Sequence, residues 1–210
     1  MKYVSYYQEN SNITRDDYNR ILQVMEDEPE EQIQVMTIRK IEFTNIAGYS
    51  KSDDEEETRY SICMADNDEN SIYLEKKVIA KQVIFKNSCK LSKEECLQII
   101  EGDIYWMQNN EHALINDLYW QMTINKRKPE GIREYAREIY QYGKNSQVVF
   151  DKRIKKEISQ EADFFSKEGL YIDCLPQNQI RCSYRRNRTI PRMIANMMQS
   201  QEQVGEFAFA

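Results

Sequence analysis

Long runs of strand-forming residues, one after another, set what this chain of 210 residues can become. Ile33–Thr44, Thr58–Ala65, Ser71–Ile79 and Lys81–Lys86 are rich in Ile, Val, Tyr and Phe, side chains that pack well on a pleated surface. Gly131–Tyr142, Gln147–Asp151, Leu170–Cys174 and Gln179–Arg185 continue the pattern. Two acidic stretches separate the early segments: the run that starts at Asp53, and the group Asp66, Asp68 and Glu69. Both read as solvated hairpin tips. Helices are fewer. Thr14 suits the cap of a helix with Tyr18, Ile21, Leu22 and Met25 on one face. Ser92-x-x-Glu95 is a capping box ahead of Leu97 and Ile100, and Ala113, Leu114, Leu118, Tyr119 and Met122 mark a third helix. Pro191 suits the first turn of a fourth, Arg192–Gln203. The expected fold is α+β: a closed antiparallel β-barrel, or tunnel, of about eight strands with helices packed outside, in one domain over residues 1–210.

Charge and composition exclude several function classes. The net charge is −6 and it is divided unevenly. Residues 1–120 hold 13 basic and 24 acidic groups, and residues 121–210 hold 16 basic and 11 acidic. That balance argues against a nucleic-acid coat, and it leaves room for a local anion site in the basic half. No apolar stretch approaches the length of a membrane helix, and residues 1–9 lack the basic and apolar regions of a signal peptide, so a cytoplasmic protein is expected. Five cysteines with no Cys-x-x-Cys suggest a reducing compartment and no zinc knuckle. A single imidazole, His112, makes a Ser-His-Asp triad and a His-rich metal site poor readings. No phosphate-binding glycine loop is present.

The order of segments resembles the VTC (vacuolar transporter chaperone) domain, a polyphosphate polymerase-like family of the triphosphate tunnel superfamily. Residues 13–18 (ITRDDY) resemble the family's first helix start, and residues 71–77 (SIYLEKK) its "hydrophobic-Leu-Glu-x-Lys" strand. Residues 90–95 and then 102–106 resemble its central helix and the segment after it. Residues 134–140 (EYAREIY) are similar to its Tyr-x-Arg strand, residues 148–151 to its Asp-bearing strand, and residues 190–194 (IPRMI) to its last helix entry. The resemblance implies a β-tunnel lined with basic residues. Active members polymerise the γ-phosphate of ATP with a divalent metal, which would be Mn²⁺ or Mg²⁺ here.

Departures from the family pattern fall on charged positions. Ser61 and Cys63 stand where the family carries two tunnel arginines, and Gln147 stands where it carries another. The family's metal-binding Glu near the C-terminus becomes Ser183 in one register and Arg181 in another, with Arg185 or Ser183 at the following Lys. The terminal Ser-Lys-Tyr is matched at best by residues 208–210 (AFA), and residues 2–8 offer no counterpart of the first strand's acid and Lys. What the resemblance retains is Lys77, Lys86, Tyr135, Arg137 and Arg185 as anion-binding residues, with Glu75 and Asp151 as metal ligands.

Strand alternation is consistent with this assignment. Ser61 and Cys63 share a face, as do Tyr73, Glu75 and Lys77, then Tyr135 and Arg137, then Gln147, Val149 and Asp151. Phosphoryl transfer depends on converging cations and a metal carboxylate. The loss of several such groups implies a catalytically degenerate domain, a pseudoenzyme. It would bind phosphate, polyphosphate or a nucleoside triphosphate, or act as an accessory interaction domain. Bacterial members of the family occur beside envelope and spore-coat proteins, so a protein partner there is compatible with the resemblance. The alternative is an active metal-dependent polyphosphate polymerase or triphosphatase with an altered residue set. A blander reading of Glu75, Lys77, Lys86 and Arg137 is an ion-pair network that satisfies interior charges.

Overall fold

A computed structural model describes residues 4–26, 33–45, 56–142, 146–159, 163–166 and 168–186. Nine strands appear among them: β1 (Val4–Thr14), β2 (Ile33–Asn45), β3 (Glu56–Ala65), β4 (Ile72–Ala80), β5 (Val83–Leu91), β6 (Arg127–Tyr142), β7 (Ser146–Glu157), β8 (Tyr171–Asp173) and β9 (Gln179–Arg186). Three α-helices accompany them: α1 (Arg15–Glu26), α2 (Lys93–Glu101) and α3 (Ala113–Thr123), with a single 3₁₀ turn at Tyr105–Met107. The strands are hydrogen-bonded in the order β6-β2-β3-β4-β5-β1-β9-β7-β8, and β6 also pairs with β7. Eight strands therefore close into an antiparallel barrel, and the short β8 lies beside β7 outside the ring, as the strand count predicted. The expected helix over Arg192–Gln203 lies outside the described residues.

The chain divides into two compact units. The first comprises Met1–Ser5, Thr37–Glu134 and Lys156–Ile172. Its hairpins follow the alternation rule. Tyr60, Ile62 and Met64 of β3 and Ile72 and Leu74 of β4 are almost completely buried, in one cluster with Cys96 and Ile99 of α2 and Leu114, Ile115 and Leu118 of α3. Ser92 caps α2 by accepting from the Glu95 backbone N–H, while the Glu95 carboxylate accepts from the Ser92 N–H, as the capping box predicts. His112 is exposed and caps α3 through Nδ1, which accepts from the Leu114 N–H. Asp117 of α3 accepts from the Tyr60 hydroxyl at 2.6 Å and from Lys76 at 2.8 Å, which ties that helix to the sheet.

One strand boundary differs from the sequence expectation. Lys81 and Gln82 form the two-residue turn between Ala80 and its partner Val83, and Lys81 takes a left-handed φ of 55°. The following strand runs to Leu91, past the polar Asn87 and Ser88. Pairing with β4 and burial of Cys89 and Leu91 decide this, against weak local propensity.

Within the same unit the carboxylate of Glu157, buried at the end of β7, accepts from the Ser159 N–H at 3.1 Å and the Ser159 hydroxyl at 2.5 Å. A methyl group on Gly169 would meet that carboxylate well inside van der Waals contact. Gly169→Ala is therefore expected to lower stability by about 1–3 kcal/mol, because Glu157 must give up its bonds to Ser159. Thermal unfolding of the variant checks this, and Gly169→Ala combined with Glu157→Ala should recover part of the loss.

The second unit comprises Tyr6–Met36, Tyr135–Lys155 and Asp173–Ala210. Thr14 ends β1 and accepts from the Asp17 N–H, so it starts α1 as predicted. Ile21 and Met25 of α1 pack with Tyr140, Val148, Phe150, Ile180, Cys182 and Tyr184. Tyr18 donates to Glu138 at 2.8 Å, and Lys152 donates to both the Tyr18 hydroxyl and Glu138 at 2.6 Å.

Candidate functional site

In the first unit, the residues that alternate with the helix-covered core bring charged groups together on the opposite face. Register fixes the grouping. Lys40 lies opposite Cys63 and Glu42 opposite Ser61. Glu75 lies opposite Ser61 on one side and Ser88 on the other, and Lys77 lies between Arg59 and Lys86. Lys86 pairs closely with one oxygen of Glu75, and Lys77 lies 3.8 Å from the other. Lys40 and Arg133 each lie 2.5 Å from Glu42. Arg59 forms a two-pronged pair with Glu57 at 2.7 Å. Three of the expected residues, Glu75, Lys77 and Lys86, are therefore brought together, and Ser61 and Cys63 share their face as alternation implied.

Sequence reasoning missed Lys40, Glu42, Arg59 and Arg133. The signal was available for two of them: Lys40 and Glu42 alternate with Ile41 and Phe43, which enter the core. Burial opposes ionisation of Glu75, but Lys86, Lys77 and Lys40 overcome it and hold the carboxyl at about 2. Burial pushes Lys77 down to about 8, with Glu75 pulling the other way and Lys40 adding to the fall. Glu42 is lowered too: burial raises it, and Lys40 and Arg133 outweigh that. Cys63 is raised by burial and by Glu75, which disfavours the thiolate a nucleophile needs.

A second charged group belongs to the second unit. Arg137 donates from Nε and Nη2 to the two oxygens of Asp151 at 2.6 and 2.8 Å. Asp151 is nearly buried, and the Arg137 guanidinium also lies 5.1 Å from the centre of the Tyr135 ring. Arg185 lies opposite Gln147, donates to Gln8 at 3.3 Å and stacks 5.0 Å from the Tyr6 ring. Ser183 lies opposite Val149 and donates to Asn10 at 2.7 Å. Arg181, Ser183 and Arg185 alternate with the buried Ile180, Cys182 and Tyr184, so the three share one face of β9. Tyr135, Arg137, Asp151 and Arg185 are thus found within this unit.

The VTC domain profile matches residues 45–203, about three quarters of the chain. This chain belongs to the VTC domain family. Among curated proteins no sequence matches it. Among solved structures, a candidate adenylate cyclase from Bacillus halodurans is similar over 100% of this chain and 94% of its own, with TM-score 0.54 and 11% identity. A candidate adenylyl cyclase from Hippeastrum, described as having a dominant triphosphatase activity, is similar over 95% of this chain and 87% of its own, with TM-score 0.54 and 10% identity. A chain of the Schizosaccharomyces pombe Mediator head module is similar over 96% of this chain and 92% of its own, with TM-score 0.52 and 8% identity. At these identities the likeness is one of fold alone. No helix among the described residues is long and apolar enough to cross a membrane.

Membership in the VTC family implies a divalent metal, and among the described residues the surroundings of Glu75 and Asp151 do not fit one. A hard cation needs several oxygen ligands. Lys86 pairs with one oxygen of Glu75 and Lys77 lies 3.8 Å from the other, Arg137 takes both oxygens of Asp151, and Ser183 stands where one register of the family places its metal-binding Glu. Among the described residues no three His, Cys, Asp or Glu side chains converge.

The same ion pairs predict an acid-labile VTC domain. Glu75 has a folded pKa below its ordinary 4.5. Its stabilisation is therefore complete above pH 4.5 and is lost as pH falls toward about 2. Thermal unfolding followed across that window should show a loss on the order of 3 kcal/mol in the native chain that Glu75→Gln does not show.

Proposed function

We propose that this chain is a catalytically degenerate VTC domain that holds a phosphate-bearing anion and acts as a binding or accessory module. The face that carries Lys40, Lys77, Lys86 and Arg133 is its anion site. One observation carries the reading: among the described residues, the four cations Lys40, Arg133, Lys77 and Lys86 pair with two carboxylates, Glu42 and Glu75. A phosphate-bearing ligand would supply the missing negative charge through charge-assisted hydrogen bonds, each contributing roughly 1.5–3 kcal/mol. Family membership supports the ligand class, phosphate or triphosphate.

Support for degeneracy comes from the residues that replace the family's charges. Ser61 and Cys63 contribute no cation, Gln147 contributes none opposite Arg185, and Glu75 and Asp151 each face cations of this chain. Phosphoryl transfer rests almost entirely on charge neutralisation and positioning, so these replacements remove the chemistry before they remove binding. The triphosphatase activity described for the Hippeastrum protein is the competing reading.

Two measurements test the proposal. Calorimetry with tripolyphosphate should show binding without metal, and no gain when Mn²⁺ is present. Incubation with ATP and Mn²⁺ should yield neither polyphosphate nor released phosphate above a blank. Polymer or Mn²⁺-dependent hydrolysis would rule out degeneracy, and a silent calorimetric titration would rule out the anion site.

A further inference from the structure

Two carboxylates of the first unit's charged face, Glu42 and Glu75, are each shared between a pair of cations among the described residues. Lys40 and Arg133 flank Glu42, and Lys77 and Lys86 flank Glu75. Arg59 is matched by Glu57 and is 57% exposed, so water screens that pair. Lys90, on the same face of β5, is exposed. The six side chains of the two trios are between 12% and 41% exposed, a setting in which charge is screened less completely. Their surplus is two positive charges, counted from four cations and two carboxylates.

We infer that this face is matched to a dianion, a single phosphomonoester or phosphate group, and gains nothing from a longer phosphate chain. The inference rests on the anion-binding reading of the same face. A phosphomonoester carries a charge near −2 at neutral pH, which balances the surplus. A metal-free tripolyphosphate brings about two further negative charges that these trios do not neutralise, and half-buried like charges repel more strongly than charges in water. Glu42 and Glu75 lie within the two trios, so every phosphate beyond the first also adds repulsion from them.

The test is a length series on the full chain at pH 7.0 and fixed ionic strength, with a chelator to keep divalent metal away from the ligands. Methyl phosphate, pyrophosphate and tripolyphosphate are titrated in turn by calorimetry. The expected affinities fall within about threefold of one another, because the added phosphates meet no further surplus charge. Glu75→Gln raises the surplus to three and should improve tripolyphosphate over methyl phosphate by about tenfold. Glu42→Gln makes the same change at the other trio, so each variant stands as a check if the other fails to fold. Affinity in the native chain that climbs about tenfold with each phosphate would overturn the inference, as would a length preference unchanged in both variants. Absence of binding by all three ligands would instead remove the anion-binding reading on which the inference rests.

Discussion

Replacing Arg137 by alanine should lower the stability of the domain by about 3–5 kcal/mol, the largest effect expected of any single exchange of a charged residue here. Both oxygens of the nearly buried Asp151 accept from this one guanidinium. Removing it leaves a carboxylate in low-dielectric surroundings without its principal partner, and the desolvation penalty is then no longer offset. For a chain of this length the melting temperature should fall by roughly 10 °C. Asp151→Asn should cost less, because the amide oxygen still accepts one of the two bonds. The double variant Arg137→Met/Asp151→Leu should recover most of the loss, because a well-packed apolar pair carries no desolvation cost. Thermal melts of the four proteins check this. If Arg137→Ala melted within about 2 °C of the native chain, the pair would contribute little to stability. Arg137 is for this reason a poor probe of ligand binding, since its loss acts on folding first.

Removing the cations beside Glu75 should act on binding. Lys77→Ala/Lys86→Ala is expected to weaken phosphate affinity by at least about 100-fold, the loss of two charge-assisted contacts. Without both lysines, Glu75 also stands as an unpaired carboxylate on the same face and repels the ligand. Lys77→Gln/Lys86→Gln/Glu75→Gln separates these effects. It should bind about tenfold better than the double variant, because the repulsion is gone while Lys40 and Arg133 remain. Calorimetry with methyl phosphate reads both proteins. Equal affinity in the native chain and the double variant would place the ligand elsewhere in the molecule.

How much of this was legible in the sequence depended on how local the signal was. The capping box at Ser92 and Glu95 and the start of α1 at Thr14 lie within a few residues of chain, and both appeared where expected. β1 gave no such signal. Its Gln, Glu, Asn and Ser residues have little strand preference, and it is a strand because it pairs with β9 over eight positions from Tyr7 to Thr14. The polar centre of β5 was missed for the same reason. Among the candidate site residues, Glu75 and Lys77 could be placed on one face because they sit in the family motif at residues 71–77, whose alternation could be read directly. Glu42 was not legible, because its role comes from Lys40 on its own strand and Arg133, 91 residues away.

The alternation of faces is written in the amino-acid order, and with it the separation of an apolar helix-covered surface from a charged one. That follows from side-chain period and burial, which act residue by residue. The same amino-acid order sets the family, through motifs kept in order along the chain. Which charges meet depends on the folded arrangement of the strands. Lys40 and Arg133 reach one carboxylate, Lys77 and Lys86 another, and Arg137 closes on Asp151. Strand register sets those distances, and a shift of one residue would turn each side chain to the other face. The charge that matters for a ligand is therefore the surplus left by these pairings, a quantity the formal −6 of the whole chain does not contain.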